Sequence, residues 1–221
     1  MSAHEAASAL EHASSTPLWC DDERRPAPRE SLRGEHDVDL AIVGGGFTGL
    51  WAALLALQED PGREVVVLEG ARLAWAATGR NGGFCSASLT HGVGNGLARW
   101  PAEMPLLQRL GAANLDAIEA TIAVQGIDCD FERTGELDVA LQGWQLEDLR
   151  EYHQILRGLG EDVELLSGEQ TRALVASPTY LGGLLDRRGV AMVNPARLAW
   201  GLADAVEGAG GRIHELSLIH I

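Results

Sequence analysis

"AIVGGGFTGL", residues 41–50, sets three apolar residues ahead of glycines at positions 44, 45, 46 and 49. Gly44, Gly46 and Gly49 have the spacing G-x-G-x-x-G, and each glycine has a separate physical use. Gly44 permits a tight exit from a strand. A side chain at Gly46 would keep a diphosphate away from the main chain, and one at Gly49 would push the following helix off its sheet. The flanking sequence supplies the frame such a turn requires. "DVDLAIV" (37–43) reads as a short apolar strand, and "TGLWAALLALQED" (48–60) as a helix ended by Pro61-Gly62. "REVVVLEG" (63–70) reads as a second strand without alternation, the pattern of a parallel strand covered on both faces. The order is βαβ, with the glycines at the first strand-to-helix turn. There, unpaired N–H groups and the helix dipole attract an anion without any basic patch.

The second strand ends in Glu69. It lies somewhat beyond the ~20-residue separation usual for an acid that binds a ribose 2′-hydroxyl, and the "EDPGR" turn absorbs the difference. A carboxylate there would repel a 2′-phosphate, which disfavours NADP. These residues predict a dinucleotide site; the competing reading is a purely structural glycine turn.

Downstream, "ARLAWAATGRNGGFCSASLTHG" (71–92) brings glycines together with an arginine and an asparagine. Glycines let main-chain N–H groups approach a flat ring or a phosphate, while Arg80 and Asn81 offer directed donors. A glycine-rich surface loop with a solvated arginine is the alternative. Taken with the fingerprint, this stretch resembles the FAD-dependent oxidoreductases of the D-amino-acid oxidase and glycine-sarcosine oxidase family, γ-glutamylputrescine oxidase-like members above all. The resemblance runs over residues 17–215. It is strongest at "DLAIVGGGFTGL", "VVVLEG" and "ATGRNGGF", and weaker at "VNPARLAWGLADAVEGAGGRIHE".

The resemblance implies FAD as cofactor. It implies contacts from Gly44, Gly45, Gly46, Phe47, Thr48, Gly49, Glu69 and Gly70, and from Gly79, Arg80, Asn81, Gly82 and Gly83 in the later loop. It also implies oxidation of the C–N bond of a small amine or amino acid by hydride transfer to the flavin. No catalytic acid or base is evident. Members of that family are longer, so the chain is expected to be an N-terminal portion, inactive alone. An NAD-binding dehydrogenase and a non-catalytic nucleotide-binding module remain open; neither accounts for "GRNGG" as directly.

The expected fold class is α/β: a Rossmann-like βαβ FAD-binding domain with part of an α+β substrate domain. Residues 1–36 read as a loosely ordered extension, with Trp19 as an anchor onto the body. Residues 37–100 read as the first part of the FAD-binding domain, 101–190 as a partial substrate domain, and 191–215 as a return to the first. The glycine-rich stretch 79–96 is expected to be irregular and functional. "LLQRLGAANLDAIEATIAVQG" has helical spacing and stops at Gly126. "GELDVAL" reads as a strand and 144–158 as an amphipathic helix. Ser167 and Gln170 have capping-box spacing. "YLGGLLDRRGVAMV" reads as strand, turn and strand. Asn194 and Pro195 open a helix, and "GGRIHE" begins a strand. Residues 216–221, "LSLIHI", resemble translated adapter and are expected to be non-native.

Seventeen arginines, no lysine and thirty-two acidic residues give a net charge of −15. So acidic a chain repels nucleic acid and anionic lipid, and neither is expected as a partner. Cys20, Cys85 and Cys129 are too few and too scattered for a disulfide framework or a C-x-x-C metal site; free thiols in the cytoplasm fit. The N-terminus lacks the apolar run of a secretory signal. Cys85 and His91 could be a redox thiol and a base or tether, though a buried small residue and a polar loop histidine explain them as well. Arg187-Arg188 could hold a substrate carboxylate or sit in a turn, and Trp75, Trp100 and Trp144 could be core or rim aromatics.

Overall fold

In the computed structural model, which describes residues 14–218, the apolar run before the glycines forms β1 (Leu40–Val43). The run after them forms α1 (Phe47–Glu59) and then β2 (Val65–Leu68). β1 and β2 pair in parallel from Leu40 opposite Val65 to Val43 opposite Leu68, so the βαβ order holds. β8 (Arg212–His214) adds in parallel on the other side of β2. Central β2 buries Val65, Val66 and Val67, as its unbroken apolar pattern requires. β1 lies at the sheet edge, with Val43 69% exposed.

α1 turns Leu50, Ala53, Leu54 and Leu57 inward. It packs against α6 (Pro195–Gly208), whose Asn194 side chain accepts from the Arg197 amide at 3.1 Å and so caps the helix. Small residues bring α6 close to its neighbours: a Cβ on Gly201 would stand 2.3 Å from Ile127. Each leucine or valine buried here contributes about 1.5–3 kcal/mol.

These elements belong to the first of two contact units, made of residues 14–82, 127–129 and 194–218 among those described. The described part of the N-terminal extension departs from the loose order its composition suggests. It forms a 3-10 turn at Leu18–Cys20 and is tied down along its length. Trp19 is an anchor, donating from Nε1 to the Asn81 carbonyl at 2.8 Å. Several of its charges are paired: Arg29 with Glu207 and Asp204, and Asp22 with Arg197. Residues 1–13 of the extension lie outside the described residues. Of the suspected tail, Leu216 and Ser217 donate from their amides to the Ala71 and Glu69 carbonyls, and 219–221 lie outside the described residues.

The second unit comprises residues 83–126 and 130–193. The glycine-rich stretch is not irregular throughout, since it contains β3 (Phe84–Ser86) and enters α2 (Val93–Arg99). α3 (Met104–Gln125) stops at Gly126 in the left-handed region at φ +63°, where glycine is favoured. β4 (Glu136–Ala140), α4 (Gly143–Gly158) and α5 (Gly168–Leu174) follow the sequence reading, with reciprocal Ser167 and Gln170 bonds opening α5. β5 (Val163–Ser167) was not foreseen. β6 (Gly182–Asp186) and β7 (Val190–Met192) flank the expected turn, which the Asp186 carboxylate holds through the Arg188 and Gly189 amides. The two strands enter different sheets: β6 lies between β4 and β5, all antiparallel, and β7 pairs antiparallel with β3. Val93, Met104, Leu156, Val163 and Leu184 form a shared core. No helix among the described residues is long and apolar enough to cross a membrane.

Candidate functional site

The site begins where β1 ends. The Gly44 amide makes the last sheet bond, to the Leu68 carbonyl at 2.8 Å, and the chain then turns through φ +103° at Gly44. No side chain crowds this position; its glycine is required by conformation alone. The Gly45 amide donates to Glu69 Oε2 at 2.8 Å, and Glu69 Oε1 accepts from the Ala71 amide at 2.8 Å. The carboxylate at the end of β2 thus closes on the glycine turn at the end of β1. Gly46 is extended, and α1 starts after it. A Cβ on Gly46 would lie 2.9 Å from Thr78 Oγ1, and one on Gly49 would lie 2.0 Å from the Gly44 carbonyl and 3.2 Å from Ile42. Gly45 is also sterically constrained, with Leu73 2.3 Å from its imagined Cβ. The fingerprint spacing does not disclose that constraint.

The start of α1 leaves main-chain donors free. Phe47 N reaches Thr78 Oγ1 at 3.3 Å, and no acceptor among the described residues meets the amides of Gly46, Thr48 and Gly49. Such orphan groups, with the positive end of the helix dipole behind them, suit an anion. They open on a cleft of about 540 Å³. Gly44, Gly46, Phe47, Thr48 and Gly49 line one wall, with Ile42, Val43 and Ala52 beside them; Ala77, Thr78 and Asn81 line the other. The turn and the second loop, separate in sequence, therefore share one cleft.

The other sequence-predicted site residues stand differently. Gly45 and Glu69 lie behind the turn and do not line the cleft, and Gly70 is exposed. Gly79 is buried under the loop, where a Cβ would come within 1.8 Å of the Ala74 carbonyl. Arg80 turns away: Nε donates to the Trp75 carbonyl at 2.9 Å, Nη2 to the Ser15 carbonyl at 3.2 Å, and its guanidinium stands 5.1 Å from the centre of the Trp75 ring. Gly82 is exposed, while Gly83, at φ +80°, begins the second unit and accepts from the Val193 amide. Thr78, which the motif reading did not name as a contact, lines one wall and accepts from the Phe47 amide on the other. Its signal was its position just before "GRNGG".

A second cavity, about 690 Å³ and larger than the cleft, lies wholly in the second unit and contains no fingerprint residue. Glu136, Asp138 and Asp186 line it, with His91, Tyr152 and Arg188. Burial, with Asp138 and Asp186 beside it, pushes the Glu136 carboxyl above its ordinary value, and burial does the same to Asp138. A cavity so rich in carboxylates repels phosphate, so the smaller cleft is the better anion site. Burial likewise pushes up the Cys85 thiol against the opposing pull of Arg133, which suppresses its thiolate. Arg187 pairs with Glu164 at 3.2 Å. Trp100 and Trp144 are exposed.

The family model described as "FAD dependent oxidoreductase" matches residues 39–220. Gamma-glutamylputrescine oxidoreductase of Escherichia coli is 36% identical over 213 residues, covering 95% of this chain and 48% of that protein. Among solved structures, glycine oxidase from Geobacillus kaustophilus gives a TM-score of 0.65 at 22% identity, over 82% of this chain and 47% of that one. L-amino acid deaminase from Proteus vulgaris gives 0.66 at 19% identity, over 92% and 51%. The chain spans about half the length of the relatives it matches.

Proposed function

The chain belongs to the FAD dependent oxidoreductase family, and from that premise we propose that the cleft at residues 44–49 and 77–81 holds the diphosphate of FAD. The parent activity we propose is oxidation of a small amine or amino acid, the substrates named for its relatives. One observation carries the reading: free amides at Gly46, Thr48 and Gly49 face the Thr78 and Asn81 loop across a single cleft.

The residues present fit the group. Gly46, Thr48 and Gly49 would donate main-chain hydrogen bonds to the diphosphate, and α1 would direct its dipole at it. Thr78 Oγ1 lies near enough to Gly46 that only glycine leaves the approach open. Glu69 keeps acceptor capacity beyond the Gly45 and Ala71 amides, enough to receive a ribose hydroxyl. The chemistry FAD supplies when bound is acceptance of a hydride equivalent from the carbon next to nitrogen. This chain's share is binding and orientation. Membership of an FAD family also favours FAD over NAD as the occupant.

The test is flavin retained by the purified chain after desalting, compared with Gly46→Val. We expect the parent to keep visible flavin absorbance and the variant to lose it with far-ultraviolet circular dichroism unchanged, since the lesion is steric. Equal flavin loading in the two would refute the site.

A further inference from the structure

The loop that forms one wall of the cleft has few main-chain hydrogen bonds of its own. Between Ala74 and Asn81 its own main-chain bonds are Gly79 N to Ala76 O and Arg80 N to Ala77 O, at 3.1 and 3.2 Å; the Asn81 side chain donates to the Thr78 and Ala77 carbonyls at 2.7 and 3.3 Å, and Arg80 Nε to the Trp75 carbonyl at 2.9 Å. Ala74, buried, sits at φ +62°, in the left-handed region that disfavours a side-chain-bearing residue. A strained segment of this kind persists only where its surroundings over-determine it.

Those surroundings are residues 15–30. Trp19 Nε1 donates to the Asn81 carbonyl, the last residue of the cleft wall, at 2.8 Å. The Cys20 thiol reaches the strained Ala74 carbonyl at 3.5 Å. Ser15 O receives Arg80 Nη2, and the Arg25 guanidinium stands 5.9 Å from the Trp75 ring that Arg80 also faces. The segment is itself anchored elsewhere. Asp22 accepts from Arg197 Nε at 2.7 Å on α6, and both side chains are largely buried. Beyond it, Pro26 O receives Arg72 Nη2 at 2.6 Å. The Arg29 amide donates at 2.7 Å to Glu215, a buried carboxylate that also receives the Leu73 amide and Arg72 Nε.

We propose that residues 15–30 are a strap that sets the 74–81 loop for cofactor binding, with Trp19 its positioning residue. The inference rests on the FAD reading of the cleft. The strap meets the loop at its strained start (Ala74), its middle (Trp75 and Arg80) and its end (Asn81). The Trp19 hydrogen bond goes to the Asn81 main chain, so Trp19 acts through that carbonyl. Affinity for the cofactor therefore depends on a segment outside the fingerprint.

The experiment uses the whole chain, Trp19→Phe, which keeps a ring and loses the N–H donor, and Asp22→Asn, which weakens the anchor on Arg197 without touching the loop. Amide hydrogen exchange is read without added FAD; FAD affinity is read by flavin fluorescence, and bound flavin by its visible circular dichroism. Trp19→Phe is expected to speed exchange at 76–82 and to weaken FAD binding about five- to tenfold, the worth of one hydrogen bond. Exchange in β2 and the unfolding midpoint stay unchanged, and the flavin dichroism changes. Asp22→Asn should act in the same direction, more weakly. Unchanged exchange at 76–82 overturns the strap, and faster exchange with unchanged FAD affinity overturns its role in cofactor binding. A parent chain that takes up no FAD refutes the cofactor reading itself, and the exchange data then decide separately whether Trp19 holds the loop.

Discussion

Gly44, Gly46 and Gly49 share a motif but not a reason. Gly44 is needed for its backbone angle, Gly46 for the space between turn and loop, and Gly49 for the contact between α1 and the turn beneath it. Substitution should separate them. Gly49→Ala forces a methyl group against a main-chain carbonyl, which cannot rotate away, and should cost about 1–3 kcal/mol of stability, read as a lower urea midpoint. Gly46→Ala meets only the Thr78 hydroxyl, which can turn, so the midpoint should barely move while FAD affinity falls. Equal loss of stability in both would contradict the division of roles. The motif spacing made these three residues legible. Gly45 was not, because the side chain that crowds it, Leu73, comes from the loop after β2. The orientation of Arg80 was equally hidden, since its partners Ser15 and Trp75 are set by the folded strap.

Elements with long periodic patterns and their own end signals were readable: α1, α3 and α6, with Gly126 and Asn194 marking ends, and the uninterrupted apolar run of β2. β3 and β5 were not. β3 has three residues, inside a glycine-rich stretch, and owes its existence to β7, more than a hundred residues later. β5 runs directly into a capping box, with Ser167 serving as both last strand residue and helix cap. The separation of β6 from β7 into different sheets is likewise a tertiary choice. On β4, Glu136 stands opposite Asp186 across the strand pair with Asp138 nearby, an arrangement of like charges that opposes pairing. Because the Glu136 carboxyl is raised, the folded chain holds that proton more tightly than the unfolded chain does. Stability is therefore lost as pH rises from the acid range toward neutrality. Glu136→Gln should melt higher than the parent at about pH 7 and no differently at about pH 3, below the ordinary carboxylate range. A variant that melts lower at neutral pH would contradict this.

At the scale of the molecule, the first unit carries the dinucleotide turn, the second loop and the strap, and the second unit carries a larger, acidic cavity. Fold class and family were both legible from the fingerprint and "ATGRNGGF", because each imposes a backbone requirement that few residues satisfy. The substrate was not legible, and the chain matches only about half of each relative's length. The central claim concerns where FAD lies, and amide-resolved NMR of the chain titrated with FAD tests it most directly. The amides of Gly46, Thr48, Gly49 and residues 77–81 should shift together and saturate, while those of Glu136 and Asp138 stay in place. Shifts confined to the second unit, or none at the α1 start under saturating FAD, would contradict it.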